Sequence, residues 1–215
     1  MSKLAIHKDS WKQIDALPEE ARRFIEDLIS ECILNGVTLK MVHRVTFDGS
    51  LGWFSAEDKR LVVCTKNPID EWLSTAIHES CHMDQWIAES KHHKNFIKEP
   101  HDLQDWLDGK INPSKREVSR MINIIQKHEL DCEKRSVKKI VDYNLTHVIN
   151  TSLYIKKAND ILFTYALLKE TRRWPDWKKV KGKYRKLFTE QPDHFLKSYK
   201  YVPTWFRDMA TEILS

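Results

Sequence analysis

Apolar positions recur at three- and four-residue steps over four long stretches of this chain. Ala21, Ile25, Leu28, Ile29 and Cys32 mark one face of a helix over residues 19 to about 34, ending before Gly36. Trp72, Leu73, Ala76, Ile77, Met83, Trp86 and Ile87 mark a second over 71 to about 89. Asn67-Pro68 forms the turn before it and Asp70 is the expected N-cap. Val118, Met121, Ile122, Ile125, Cys132, Val137, Ile140 and Val141 line a long helix over 117 to about 143. Tyr154, Ile155, Ala158, Ile161, Leu162, Tyr165 and Leu168 line another over 152 to 169.

Strand signals lie between the first two helices. Residues 37–47 carry strand-forming types. Gly52-Trp53-Phe54-Ser55, the polar turn Ala56-Glu57-Asp58-Lys59 and the segment 60–65 read as a β-hairpin, with Leu61-Val62-Val63 its most strand-like piece. Shorter helices are expected near 103–107, 179–188 and 204–214. Only 5 glycines and 7 prolines punctuate 215 residues, which favours helices over a turn-rich β fold. The pattern predicts an α+β protein: helix, small antiparallel sheet, two more helices, then a mostly helical tail. It suggests a domain over residues 1–170 and a C-terminal extension over 171–215, packed on or flanking that domain.

Charge sharpens this division. The whole chain carries a formal +5, yet between Lys156 and Lys200 there are 13 lysines and arginines against 5 acids. The basic character therefore belongs to the C-terminal third. Nine of those cations, with Trp174, Trp177 and Tyr184 among them, fall between Lys169 and Lys186. Such a segment suits nucleic acid, its cations neutralising phosphates and its aromatics stacking on bases. No run of 18 apolar residues suggests a membrane span. Residues 1–15 lack the apolar core of a secretory signal. The four cysteines show no paired spacing, so reduced thiols and a cytoplasmic location are expected.

Within the second helix stands His78-Glu79-Ser80-Cys81-His82. Histidines four residues apart share one helix face, one turn apart. From there both imidazoles can reach one Zn²⁺, and Glu79 can take a proton from the attacking water. The stretch resembles the H-E-x-x-H signature of zincin metallopeptidases. Helix, strands, then the H-E-x-x-H helix is also the element order of zincin N-terminal halves. There the last strands flank the cleft, and an edge strand binds extended peptide by β-addition.

A catalytic zinc usually takes three protein ligands. The metzincin continuation is absent, because Gln85 stands at its glycine position and Ala88 at its third histidine. Glu129 is the alternative. It lies in the apolar stripe of the third helix, four residues after Ile125, where a carboxylate is costly unless paired or bound to metal. Glu133 lies one turn further on. Glu129-Leu130-Asp131-Cys132-Glu133 resembles the E-x-x-x-D signature of gluzincins, with Glu replacing Asp at its end. In that family the first acid binds zinc and the second hydrogen-bonds the far nitrogen of a zinc-binding histidine. The replacement leaves the roles of Glu129 and Glu133 open to exchange.

The resemblance spans residues 19 to 168 and is closest to small intracellular gluzincins, including phage- and bacterium-borne proteins and ImmA/IrrE-like regulators. It implies a zinc peptidase acting on an intracellular protein or peptide, with Glu79 as general base. Tyr154, on the inward stripe of the fourth helix, is the expected oxyanion donor. The basic tail points to a nucleic-acid-associated protease of SprT-like kind as an alternative. A non-catalytic, metal-stabilised binding module is a third reading.

Overall fold

A computed structural model describes residues 4–96, 99–175 and 191–214. The protein is α+β, and the chain divides into two compact units. One comprises Met1–Ser90 with Cys132–Thr151; the other comprises Lys91–Asp131 with Ser152–Ser215. The division runs elsewhere than the expected boundary at residue 170, and it falls inside a helix.

The first unit is built on a four-stranded sheet in the order β1-β2-β4-β3, comprising β1 (Leu4–Ile6), β2 (Thr38–Val42), β3 (Gly52–Ser55) and β4 (Arg60–Cys64). β1, β2 and β4 are parallel; only β3 pairs antiparallel, with β4. The hairpin therefore forms as its sequence predicts, but the sheet is mixed rather than antiparallel. β2 lies parallel to β4, the second strand of the hairpin, and β1, ahead of α1 (Lys8–Asp15), adds to β2 in parallel; the periodicity of such short stretches announces neither pairing.

Register decides which side chains meet the helices. Leu39 pairs with Leu61, Met41 with Val63, and Gly52 and Phe54 with Val63 and Leu61, so these residues share one face of the sheet. Leu39, Met41, Leu61 and Val63 are fully buried, as are Ile25, Trp72, Leu73 and Ile77 from α2 (Glu19–Leu34) and α3 (Ile69–Ile87). α2 ends at Gly36 with φ +69°, and Val37 N–H returns to Cys32 O at 2.8 Å. This left-handed turn costs little only for glycine and aims the chain into β2. α3 begins two residues earlier than expected. Pro68 is its N-cap, and Asp70 and Glu71 lie in its first turn, where the free N–H groups favour acids. Asp70 is thus a first-turn residue and not the cap.

Two short helices, α4 (Lys91–Phe96) and α5 (Glu99–Leu107), open the second unit, and α6 (Lys115–Asp142) follows. Ser114 and Glu117 form a capping box at the start of α6, with Ser114 N–H donating to Glu117 Oε2 at 2.7 Å. Leu103, Trp106, Val118, Met121, Ile122 and Ile125 form one core with Leu168 of α7 (Thr151–Thr171). The opposite side of α7 holds another. Leu162, Phe163, Ala166 and Leu167 pack against Tyr199, Val202 and the residues Phe206, Met209 and Ala210 of α8 (Thr204–Leu214). α7 is therefore buried on two sides, and Ile161, expected on a single inward stripe, is 46% exposed. The helix expected at 179–188 lies outside the described residues. Among the described residues, no helix is long and apolar enough to cross a membrane.

Candidate metal centre

Helix geometry sets the first two groups of the site. His78 and His82 lie one turn apart in α3, with Nε2 atoms 3.1 Å from each other. Each far nitrogen is engaged. His82 Nδ1–H donates to Gln85 Oε1 at 3.0 Å, and His78 Nδ1 lies 3.4 Å from Glu133 Oε1. These contacts turn both Nδ1 edges toward the protein and leave the Nε2 edges converging. Two imidazoles on a tetrahedral zinc hold their nitrogens about 3.4 Å apart. The observed pair fits such an ion with a slight opening.

Cys132 reaches the same place from α6. Its Sγ lies 3.7 Å from His78 Nδ1 and 4.0 Å from His78 Nε2, and its thiol contacts His78 O at 3.3 Å. His78, His82 and Cys132 each present a ligand atom within 4.8 Å of the others, so together they form a group that could hold a metal ion. Glu133 is 4% exposed and is the acid at the far nitrogen of His78. Glu129, the expected third ligand, belongs to the second unit. It is half-buried and precedes Glu133 by one turn of α6. Tyr154 also belongs to the second unit, half-buried in the first turn of α7.

Glu79 is 8% exposed, and the edge strand β3 runs beside its stem. A Cβ on Gly52 would lie 2.7 Å from both Val62 O and Thr75 Cγ2, and 3.5 Å from Glu79 Cγ. Strand and helix thus approach here at a separation that only glycine permits. Further along the same edge, Phe54 packs on Trp86 with ring centroids 5.8 Å apart.

A cation locks α3 to the C-terminal half of α6. Lys139 Nζ lies 2.8 Å from Asp84 Oδ2 and donates to Ser80 Oγ at 2.9 Å, while Ser80 Oγ donates to Ile77 O at 2.7 Å. Burial by itself would push Lys139 down, but Cys81, Asp84 and Glu31 together hold it above the usual lysine value. Cys81 falls to about 7, through a hydrogen bond with the Cys132 thiol first and the charge of Lys139 after it, against the effect of burial. All four cysteines are buried thiols outside any disulfide.

Four of these contributors escape a motif reading, for different reasons. Gln85 reads as the residue that excludes a metzincin, yet its i+3 spacing from His82 and its full burial make it the group that orients that ring. Cys132 reads as a small packing residue inside an acidic motif. Lys139 gives no signal beyond its position on the apolar side of α6. Gly52 is a lone glycine in a strand, a known mark of close backbone approach.

No protein-family model matches the chain, and neither a curated protein nor a solved structure matches it significantly.

Proposed function

We propose that the protein is a zinc-dependent peptidase of gluzincin type, with a zincin-like core, that hydrolyses a peptide bond in a protein substrate. One observation carries this reading. Two imidazole Nε2 atoms converge at 3.1 Å, each held from behind, and a buried glutamate follows the first of them in sequence. A structural zinc needs ligands but no general base. Glu79 is that additional group.

Zinc bound there would polarise the substrate carbonyl and acidify a water. His78 and His82 would hold it, with Glu129 as the third protein ligand. Glu133 would fix the orientation of His78 through Nδ1, as outer-shell carboxylates do. Glu79 would take the proton of the attacking water and return it to the leaving amine. The substrate would lie extended along β3, where main-chain hydrogen bonds to an edge strand give affinity without side-chain selectivity. Tyr154 is the proposed donor to the oxyanion.

A second reading draws on Cys132. A thiol beside the histidine pair suits a closed site, and such a site would stabilise a binding module rather than activate water. The Glu79→Gln variant separates the two. It should keep fold and zinc content while losing cleavage of an unfolded protein substrate by at least roughly 10²-fold. Equal cleavage by variant and wild type would end the peptidase reading. Wild-type protein that binds zinc stoichiometrically but cleaves nothing would leave the closed structural site.

A further inference from the structure

The second unit carries a charged groove that the metal centre does not use. Arg116, Arg120 and Lys127 recur at steps of four and seven residues, so they share one face of α6. At 1.5 Å per residue they form a row about 16 Å long. Lys169 from the end of α7 and Lys197 and Lys200 from the segment before α8 complete the walls of a groove of about 820 Å³. Among the described residues, no aspartate or glutamate lines it. Arg120 has an acidic partner, Glu99, at 2.8 Å. For the other five, no carboxylate lies within ion-pair distance among the described residues. Lys169 is held below the usual lysine value, by burial first and by the charge of Lys200 second.

The groove is a fixed feature of the fold. Buried Gln126 donates to Leu162 O at 2.8 Å and to Tyr199 O at 3.4 Å, tying α6, α7 and the 197–201 segment together. Asn159 donates to Pro192 O at 2.9 Å and accepts the Tyr199 hydroxyl, anchoring the same segment from α7. Lys169 and Lys200 repel one another here, and a bound anion would relieve that repulsion. A row of this length exceeds what a single phosphate spans. Tyr201, 88% exposed next to Lys200, presents a ring on which a base can stack and for which an acidic peptide has no use.

We propose that this groove binds the phosphate backbone of a nucleic-acid strand. The proposal does not rest on the peptidase reading. Fluorescence anisotropy of the full chain with single-stranded DNA and RNA of about 20 nucleotides tests it. Six neutralised phosphates on a single strand give a log–log salt slope of up to about −4, and affinity should fall roughly 10²- to 10³-fold between 50 and 200 mM salt. The triple reversal Arg116→Glu, Lys127→Glu, Lys200→Glu should weaken binding by at least about tenfold and halve the slope. Tyr201→Ala should weaken it by roughly tenfold with the slope unchanged. The reversed residues are exposed, and Lys127→Glu and Lys200→Glu read singly keep the test decisive if the triple variant misfolds. The proposal is overturned by no binding at 50 mM salt. It is equally overturned if binding survives the groove reversals but is lost on reversing Lys178 and Lys179, or if polyglutamate competes as well as DNA charge for charge.

Discussion

Around His78 and Lys139 charged side chains meet partners: Glu133 lies behind His78, and Asp84 and Ser80 hold Lys139. In the groove of the second unit, cations face cations. The first arrangement engages its charged groups with one another and leaves the His78 and His82 imidazoles and the Cys132 thiol converging, which suits a small cation. The second leaves charge unspent along a row, which suits an extended anion. One helix, α6, serves both, through different stretches of its 28 residues. Its first half contributes the exposed cations of the row, and its second half contributes Cys132, Glu133 and Lys139. The contrast suggests that self-neutralisation marks the site that holds a metal, and that missing counter-charge marks the site that meets a partner.

Metal removal breaks the first half of that comparison most sharply. Purified protein should contain close to one zinc per chain, and His78→Ala or His82→Ala should lose it. Glu129→Gln should also lose it if Glu129 is the third ligand, whereas Cys132→Ser should lose it instead if the thiol is. Glu133→Gln should retain zinc but bind it about 10–100-fold more weakly, the usual cost of an outer-shell partner. Metal analysis with a chromogenic chelator reads all five variants. Zinc-free wild-type protein with intact secondary structure would remove the metal centre altogether.

How much of this was open to reading from the sequence differs between the same two regions. α2, the hairpin and α3 follow their periodicity to within two residues, because each is a single amphipathic element packed on one side. The histidine pair is legible for the same reason: both groups sit on one helix at fixed spacing. β1 and its parallel pairing with β2 are not, since three residues carry too little pattern to reveal a partner far along the chain. In the second unit α7 misleads, because burial on two sides erases the stripe that periodicity seeks. The six cations of the groove come from three separated segments, and nothing in their spacing announces that Lys197 and Lys200 share a wall with Arg116. The sequence pointed to the basic third of the chain. The described groove lies partly before it, on α6.

A smaller effect tests the self-neutralised side. Lys139→Met keeps the aliphatic stem but leaves Asp84 and the half-buried Glu31 without their cation. Breaking a pair of this kind should destabilise the protein by roughly 2–4 kcal/mol in urea unfolding. Adding Asp84→Asn should recover part of the loss, because the stranded charge is then gone. A cost below about 0.5 kcal/mol would mean that Lys139 is a surface cation in energetic terms, and the contrast between the two regions would lose its first half.

A pH-dependent effect tests the uncompensated side. Asp160 in α7 has a buried Oδ1 without a hydrogen-bond partner, and burial pushes the carboxyl from 3.8 up to about 8. The folded protein therefore keeps this proton over a range where the unfolded chain has already lost it. Stability from this group is fully present below about pH 4 and is lost as pH rises toward 8, by at most about 1.4 kcal/mol per pH unit. Asp160→Asn carries no such proton. The variant should gain on the wild type in thermal unfolding as pH is raised from 5 to 8, and the gap should level off above the folded value. Parallel melting curves for the two proteins across that range would show that Asp160 is solvated or paired in solution. The second unit would then hold its unspent charge in the groove and not in its interior.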